Sequence, residues 1–324
     1  VPEPSPDLAR RLRALSRSGR LTLPLPGGGQ TTRRFQALAA LAAENTVLGR
    51  LAEAHADAAA ILHEVGGRVP TSGQIWGVWA AEPPEPILRA RSTPAGWVLE
   101  GRKSWCSGAR LCSHALVTAR IGEERRLFAV ELTPSMVRPV PDSWHAVGMR
   151  ESDSGAVDFD SAPATPVGAP GAYLERAGFW HGAVGVAACW YGSACEVARP
   201  LYERAAAGRA HEHALAHLGA VAGALQSARL GLRQAAAEID ADPDGSDVDA
   251  RLRARLVRAV VEDAVTTTVD RVGRALGAGP LCADGEHAAR VADLTVYLRQ
   301  SHAEIDLAEL GRDVAGQEFS WPNL

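Results

Sequence analysis

Trp97-Val-Leu-Glu-Gly-Arg-Lys-Ser-Trp-Cys-Ser-Gly-Ala109 is the stretch that decides the fold. It begins as a short apolar run, turns at Gly101, and places the only lysine of the chain, Lys103, two residues before a second tryptophan, Trp105. Comparable runs of four to six residues surround it at Ile75–Trp79, Ala115–Ala119, Leu127–Leu132 and Ala156–Phe159. Pro83-Pro84, Pro94-Ala-Gly96 and Pro141-Asp142 punctuate them, and such residues make turns. Short strands at this spacing predict a small antiparallel barrel or sandwich over residues 70–170.

The texture differs on either side. Residues 1–69 read as helical, with Leu8, Leu12 and Leu15 after Pro6-Asp7 and a Pro/Gly-rich turn from Leu23 to Gly29. An Ala/Leu run then extends from Arg34 to Val65, where Leu41, Leu48, Leu51, His55, Ala59 and Leu62 recur at helical steps. Residues 171–324 return to helix. Trp180–Ala207, His213–Ile239, Val248–Leu276 and Glu286–Val314 predict a four-helix bundle, broken at Gly208, Asp242-Pro-Asp-Gly245 and Gly277-Ala-Gly279-Pro280. The fold class is therefore α+β, in the order helices, barrel, bundle.

With 324 residues the chain can bury a full core, and 46% hydrophobic residues is ordinary for a water-soluble protein. A net charge of −4 gives no strong field toward nucleic acid or a membrane surface, and neither is expected as a partner. Five cysteines without CxxC spacing argue against a disulfide framework or a zinc site. No metal is expected, and a reduced, cytoplasmic setting is.

Four segments in order carry a resemblance. The 97–109 stretch resembles the middle domain of the acyl-CoA dehydrogenase family, where a strand ending "NGxK" leads to Trp-x-Thr/Ser and Gly. Gly77-Val-Trp-Ala-Ala-Glu-Pro83 resembles that family's "ALTEP" strand. Trp144-His-Ala-Val-Gly-Met-Arg150 and Ser154-Gly-Ala-Val-Asp-Phe-Asp160 resemble its "GMRxSDTxxVxFD" hairpin. The similarity spans roughly residues 20 to 315. It implies a short N-terminal helical domain, the barrel, the four-helix bundle, and FAD as cofactor. It also implies that Trp105 walls the flavin ring, that Ser107 donates to it, and that a homodimer or homotetramer forms.

The departures from the family pattern bear on chemistry. Ala81 stands where the family has a hydroxyl before Glu-Pro, and Pro84-Glu-Pro-Ile-Leu88 replaces a Gly-Ser-Asp segment. Only Gly66 to Gln74 separates the Ala-rich helix from the first strand, so part of the family's acyl-chain wall is missing. Arg209-Ala-His-Glu-His213 replaces the family's Arg-x-x-Phe, while Leu276-Gly-Ala-Gly279 keeps part of its glycine turn. Arg209, Gly277 and Gly279 are the resulting candidates for the nucleotide half of a flavin, since guanidinium suits phosphate.

Dehydrogenation of an acyl thioester needs a carboxylate to take the α-proton. Alignment of Ala292-Asp-Leu-Thr-Val-Tyr297 with the family's "RDA" helix puts Ser301 and His302 where Glu-Gly belongs. Serine cannot act unaided. Glu175, ahead of the first bundle helix, and Glu304, three residues past Ser301, are candidate replacements. His302, with His181 as a further polar residue, suits instead the oxygen chemistry of flavin monooxygenases on this fold. The leading expectation is an acyl-CoA dehydrogenase-like oxidoreductase acting on an acyl thioester or a related small molecule, with an unassigned electron acceptor or reductase. The alternatives are a flavin-dependent monooxygenase and a non-catalytic flavin-binding or structural subunit.

Overall fold

The computed structural model describes residues 5–245 and 249–316. Val248 and the C-terminal Phe319-Ser-Trp-Pro-Asn323 lie outside them. Three helices lead: α1 (Pro6–Arg17), α2 (Thr31–Glu44) and α3 (Thr46–Val65). Ser5 caps α1 by accepting from the Leu8 amide, with Pro6 at the first helical position, where its missing N–H costs nothing. The Arg34–Val65 run is two helices, not one. Asn45 has extended backbone and its side chain accepts from the Leu48 amide, so it ends α2 and caps α3.

The strands are β1 (Trp76–Trp79), β2 (Arg89–Thr93), β3 (Gly96–Lys103), β4 (His114–Ile121), β5 (Glu124–Glu131), β6 (Val137–Pro139) and β7 (Val157–Val167). A ring β4-β2-β3-β7-β5 closes through the β4–β5 pairing, while β1 lies on β4 and β6 on β7. Most pairs are antiparallel, but β1 and β2 both meet β4 in parallel, so the expected antiparallel barrel is mixed. The apolar runs located five strands. β2 (Arg-Ala-Arg-Ser-Thr) and β6 (Val-Arg-Pro) have no such run and are held by their neighbours' ladders. Trp79, Leu99, Phe128, Val157 and Phe159 fill the barrel.

The bundle contains α5 (Ala177–Ala206), α6 (Glu212–Ala241) and α7 (Ala250–Leu276), preceded by the one-turn α4 (Ala172–Glu175). The fourth expected helix, Glu286–Val314, is broken. It forms α9 (Gly285–Tyr297), a 3₁₀ turn at Leu298–Gln300, and α10 (Glu304–Ala315), with the short α8 (Gly279–Ala283) ahead of it. Ser301 is extended and Ala303 has φ +49°, so the break is built into the backbone. Apolar periodicity continues across it, which hides it from the sequence.

Helix α3 lies between two layers. Ala58, Ile61 and Leu62 pack on the barrel's outer face with Trp76, Leu116 and Leu127. On its other side Leu48, Leu51 and Ala52 join the core that α2 and α5 share. This double burial explains why β4 is buried on both faces, Ala115, Val117 and Ala119 pointing into the barrel and Leu116 toward α3. Glycine permits the tightest crossing: a Cβ on Gly192 of α5 would stand 2.0 Å from the Ala39 carbonyl of α2.

Candidate functional site

Three groups of the predicted residues come together, each in a different place. The first is on the barrel. Backbone bonds from Cys106 to Gly155 (2.9 Å) and from Gly108 to Ser152 (2.7 Å) join the 97–109 segment to the start of the 154–160 segment and the turn just before it. Arg110 and Asp153 pair across the same junction. Beneath it lies an ionic lock. Lys103 is buried and its Nζ donates to Glu82 (3.0 Å) and to the Thr118 carbonyl and hydroxyl (both 2.8 Å). Burial pulls the Lys103 ammonium below its usual range, and Glu82 opposes this. The Glu and Lys of the two motifs are therefore structural partners that fix the end of β3, two residues before Trp105.

Trp105 itself has φ +61° and remains 57% exposed, its indole edge-to-face with Trp144 at 6.0 Å. A large aromatic held outward in a strained backbone is a surface made to be covered, unlike a barrel-core tryptophan such as Trp79, which is buried. Next to it Ser107 is buried, and Ser154 donates to its hydroxyl (2.9 Å) from a chain that continues to Ser152 (2.7 Å). Ser152 also donates to the Met149 carbonyl (2.7 Å), so three hydroxyl protons serve three bonds and Ser107 is the outer end of that chain. An apolar face beside a buried hydroxyl fits a flavin ring. Ala81 is exposed and offers no donor.

The 144–149 loop ties this region to the bundle. Trp144 donates through Nε1 to the Met149 carbonyl (3.1 Å), and the Met149 amide donates to Asp293 on α9 (2.5 Å). Burial pushes the Asp293 carboxyl up, against that amide bond.

The second group is the break after α9. Ser301 is buried and donates to Glu262 of α7, which also pairs with Arg299 (3.0 Å). His302 is exposed, its Nδ1 3.4 Å from Asp306 and its backbone amide donating to the same carboxylate (3.1 Å). Glu304 is exposed in the first turn of α10 and does not share a helical face with Ser301, because the helix is interrupted between them. The residue that folds back is Asp306, which periodicity did not single out. An Asp four residues after a His, with a helix break between, is the signal that would have found it.

The third group is a groove of about 430 Å³ at the far ends of α5 and α7. Pro200, Glu203, Arg204, Arg209, Leu276 and Pro280 line it, so Arg209 shares the groove with the two residues that flank the Gly277–Gly279 turn. Arg204 donates to the Arg209 carbonyl (3.2 Å) and shapes the loop. Added Cβ atoms at Gly277 and Gly279 would meet nothing within 4 Å.

Glu175 joins none of these groups. It is exposed at the end of α4, its carboxylate lying over Gly171 beside β5. His181 is buried, and burial, aided by Arg253, holds it neutral with a pKa of about 4. Among the described residues no cluster of His, Cys, Asp or Glu could hold a metal ion, and no helix is long and apolar enough to cross a membrane.

No family model matches the chain. Dibenzothiophene monooxygenase of Rhodococcus erythropolis is 34% identical over 97 residues, a match covering 26% of this chain and only 23% of that protein. The complex of TdsC from Paenibacillus sp. A11-2 with FMN and indole superposes with a TM-score of 0.77 at 19% identity, over 98% of this chain and 97% of TdsC. The FAD complex of PigA does so with a TM-score of 0.79 at 14% identity, over 95% and 89%. The fold is thus the acyl-CoA dehydrogenase-like one: N-terminal helices, a small β-barrel and a C-terminal helical bundle.

Proposed function

We propose that this chain is a flavin-dependent monooxygenase that oxygenates a small organic molecule, and not a dehydrogenase of acyl thioesters. One observation carries the reading. Where a dehydrogenase needs a free carboxylate, Ser301 is already engaged with Glu262, and the adjacent exposed group is the His302–Asp306 pair. A carboxylate-backed imidazole can hand a proton to a nearby group but is a poor substitute for a base that must pull an α-proton from a thioester. Glu175, the other candidate base, lies beside β5 with its carboxylate over Gly171. The similarity to dibenzothiophene monooxygenase and to TdsC supports the same reading.

In this proposal Trp105 would back the isoalloxazine, with the Ser107 hydroxyl beside it. The reduced flavin supplies the two electrons that split oxygen into one atom for the substrate and one for water. The chain's own contribution is to orient the ring, to exclude bulk water on the barrel side, and to supply a proton from His302, reset through Asp306. A separate reductase provides the reduced flavin. An apolar aromatic substrate fits the oxygenation of dibenzothiophene by the similar proteins better than acyl-CoA does.

The test mixes purified protein with photochemically reduced FMN or FAD and ¹⁸O₂, using dibenzothiophene and indole as probes. Product carrying ¹⁸O is the expected result, cut at least tenfold in His302→Gln. Bleaching of oxidised bound flavin by an acyl-CoA under nitrogen would overturn the proposal and restore the dehydrogenase.

A further inference from the structure

One face of α7 carries Arg251, Arg255, Arg258 and Glu262 at steps of four, three and four, a single charged stripe along the helix. Each member grips the broken C-terminal helix. Arg258 donates to the Gln300 carbonyl (3.4 Å), the last residue before Ser301, and to the Ala183 carbonyl of α5 (2.9 Å). Its guanidinium is stacked on Trp190 with 4.6 Å to the ring centroid, so the plane is fixed. Glu262 takes the Ser301 hydroxyl and Arg299. Beyond the break, Arg255 pairs with Glu309 and Asp313 of α10 and stacks on Trp180 at 5.3 Å, and Arg251 reaches Asp313 (3.3 Å).

The stripe therefore clamps both sides of a three-residue interruption, Ser301 to Ala303, whose backbone would not otherwise hold this shape. Ala303 sits at φ +49°, which an L-residue adopts at a cost and keeps only where its surroundings over-determine it. Ala303 donates its amide to Ser301 Oγ (3.2 Å), and Ser301 is in turn tied to Glu262. Helix α10 has no buried residue among those described, so apolar packing alone does not position it.

We infer that Glu262 and Arg258 are positioning residues, which act through Ser301 and the Gln300 carbonyl to hold His302 and its partner Asp306 in a fixed arrangement. The inference rests on the monooxygenase reading for the role of His302, but the clamp itself is a statement about this chain alone. Arg258 does its part by directing two N–H groups at two carbonyls, which a lysine at that position cannot reproduce.

Two readouts test it on the full chain. Amide hydrogen exchange of residues 299–306 is expected to speed at least tenfold in Glu262→Ala, Ser301→Ala and Arg258→Lys, with exchange in the barrel unchanged. Reoxidation of protein-bound reduced FMN by oxygen, followed by flavin absorbance, is expected to change at least fivefold in each, in the direction that His302→Gln takes. Glu262→Ala and Ser301→Ala are expected to be non-additive when combined, because they cut the same link. Glu262→Gln, which keeps an acceptor for Ser301, restores wild-type behaviour in both readouts. Faster exchange at 299–306 with unaltered reoxidation, while His302→Gln still alters it, overturns the positioning role and leaves the monooxygenase reading intact. Unaltered reoxidation in His302→Gln overturns that reading, and unaltered exchange in all three variants overturns the clamp.

Discussion

At the scale of single residues, exposure and backbone strain separate the proposed flavin wall from the core. Trp79 and Trp105 both border the barrel, but the first is sealed inside, donating to the Ser107 carbonyl (2.9 Å), and the second faces out. Removing an exposed indole costs little in folding, since surface substitutions away from buried contacts are usually near neutral. Trp105→Ala keeps the same positive φ and is expected to unfold within about 1 kcal/mol of wild type. Its flavin affinity should nevertheless drop at least tenfold, because the ring loses its apolar backing. Fluorescence titration with FMN and FAD beside a urea melt checks both halves. Unchanged affinity would remove Trp105 from the site, and a large loss of stability would make it core. The motif singled out Trp105 in the sequence. Ser154 lies inside a motif and Ser152 just before it, but their contact with Ser107 needed the fold, because 45 residues or more separate them from Ser107 along the chain.

At the scale of elements, the sequence reading succeeds where one period dominates and fails where a helix is buried all round or is interrupted. Helix α3 shows the first failure: it reads as a one-sided stripe that includes His55, yet it also buries Glu53, off that stripe, between layers. Burial pushes the Glu53 carboxyl up to about 7, with Arg50 and Arg34 opposing. A raised carboxyl pKa means the folded state holds the proton after the unfolded chain has lost it. Its stabilisation is therefore complete below pH 4.5 and fades as pH rises through about 7. His55 and His181, both held near 4 by burial, act oppositely over an overlapping window, which masks the effect in the wild type. The difference between wild type and Glu53→Gln cancels the histidines. It is expected to shift in favour of Gln by up to about 3 kcal/mol between pH 4.5 and 8. Urea melts at the two pH values measure it, and a constant difference would mean Glu53 is ionised throughout. The second failure, the interruption at Ser301, has no local sequence mark beyond Asp306. The joint between barrel and bundle is equally silent in the pattern, since it depends on one missing side chain: a Cβ on Gly148 would stand 2.0 Å from the Ala292 carbonyl of α9. Gly148→Ala should cost about 1–3 kcal/mol by overpacking. It should also weaken flavin binding by moving the Trp144 loop, whereas a change in stability alone would show that the joint does not shape the site.

At the scale of the whole molecule, the Trp105 face and the Arg204–Arg209 groove are separate features, one on the barrel and one at the ends of α5 and α7. The resemblance assigns both to the flavin, with the groove serving a neighbouring copy. The chemistry of the groove decides which flavin that would be. FMN ends at one phosphate, whereas FAD continues through a diphosphate to adenosine. Two guanidiniums against the single carboxylate of Glu203 leave the groove net cationic, and Leu276, Pro200 and Pro280 give it an apolar floor. Such a lining suits a diphosphate and a base, and guanidinium binds phosphate oxygens in pairs. If the groove of one copy completes the site of another, FAD binds more tightly than FMN, and Arg204→Ala with Arg209→Ala abolishes that preference while leaving FMN affinity unchanged. The preference should also vanish at protein concentrations where sedimentation shows single chains, because the groove then has no partner site to serve. Equal affinities for FMN and FAD at every concentration would assign the cofactor to FMN, confine the flavin to the Trp105 face, and leave the groove without a part in cofactor binding.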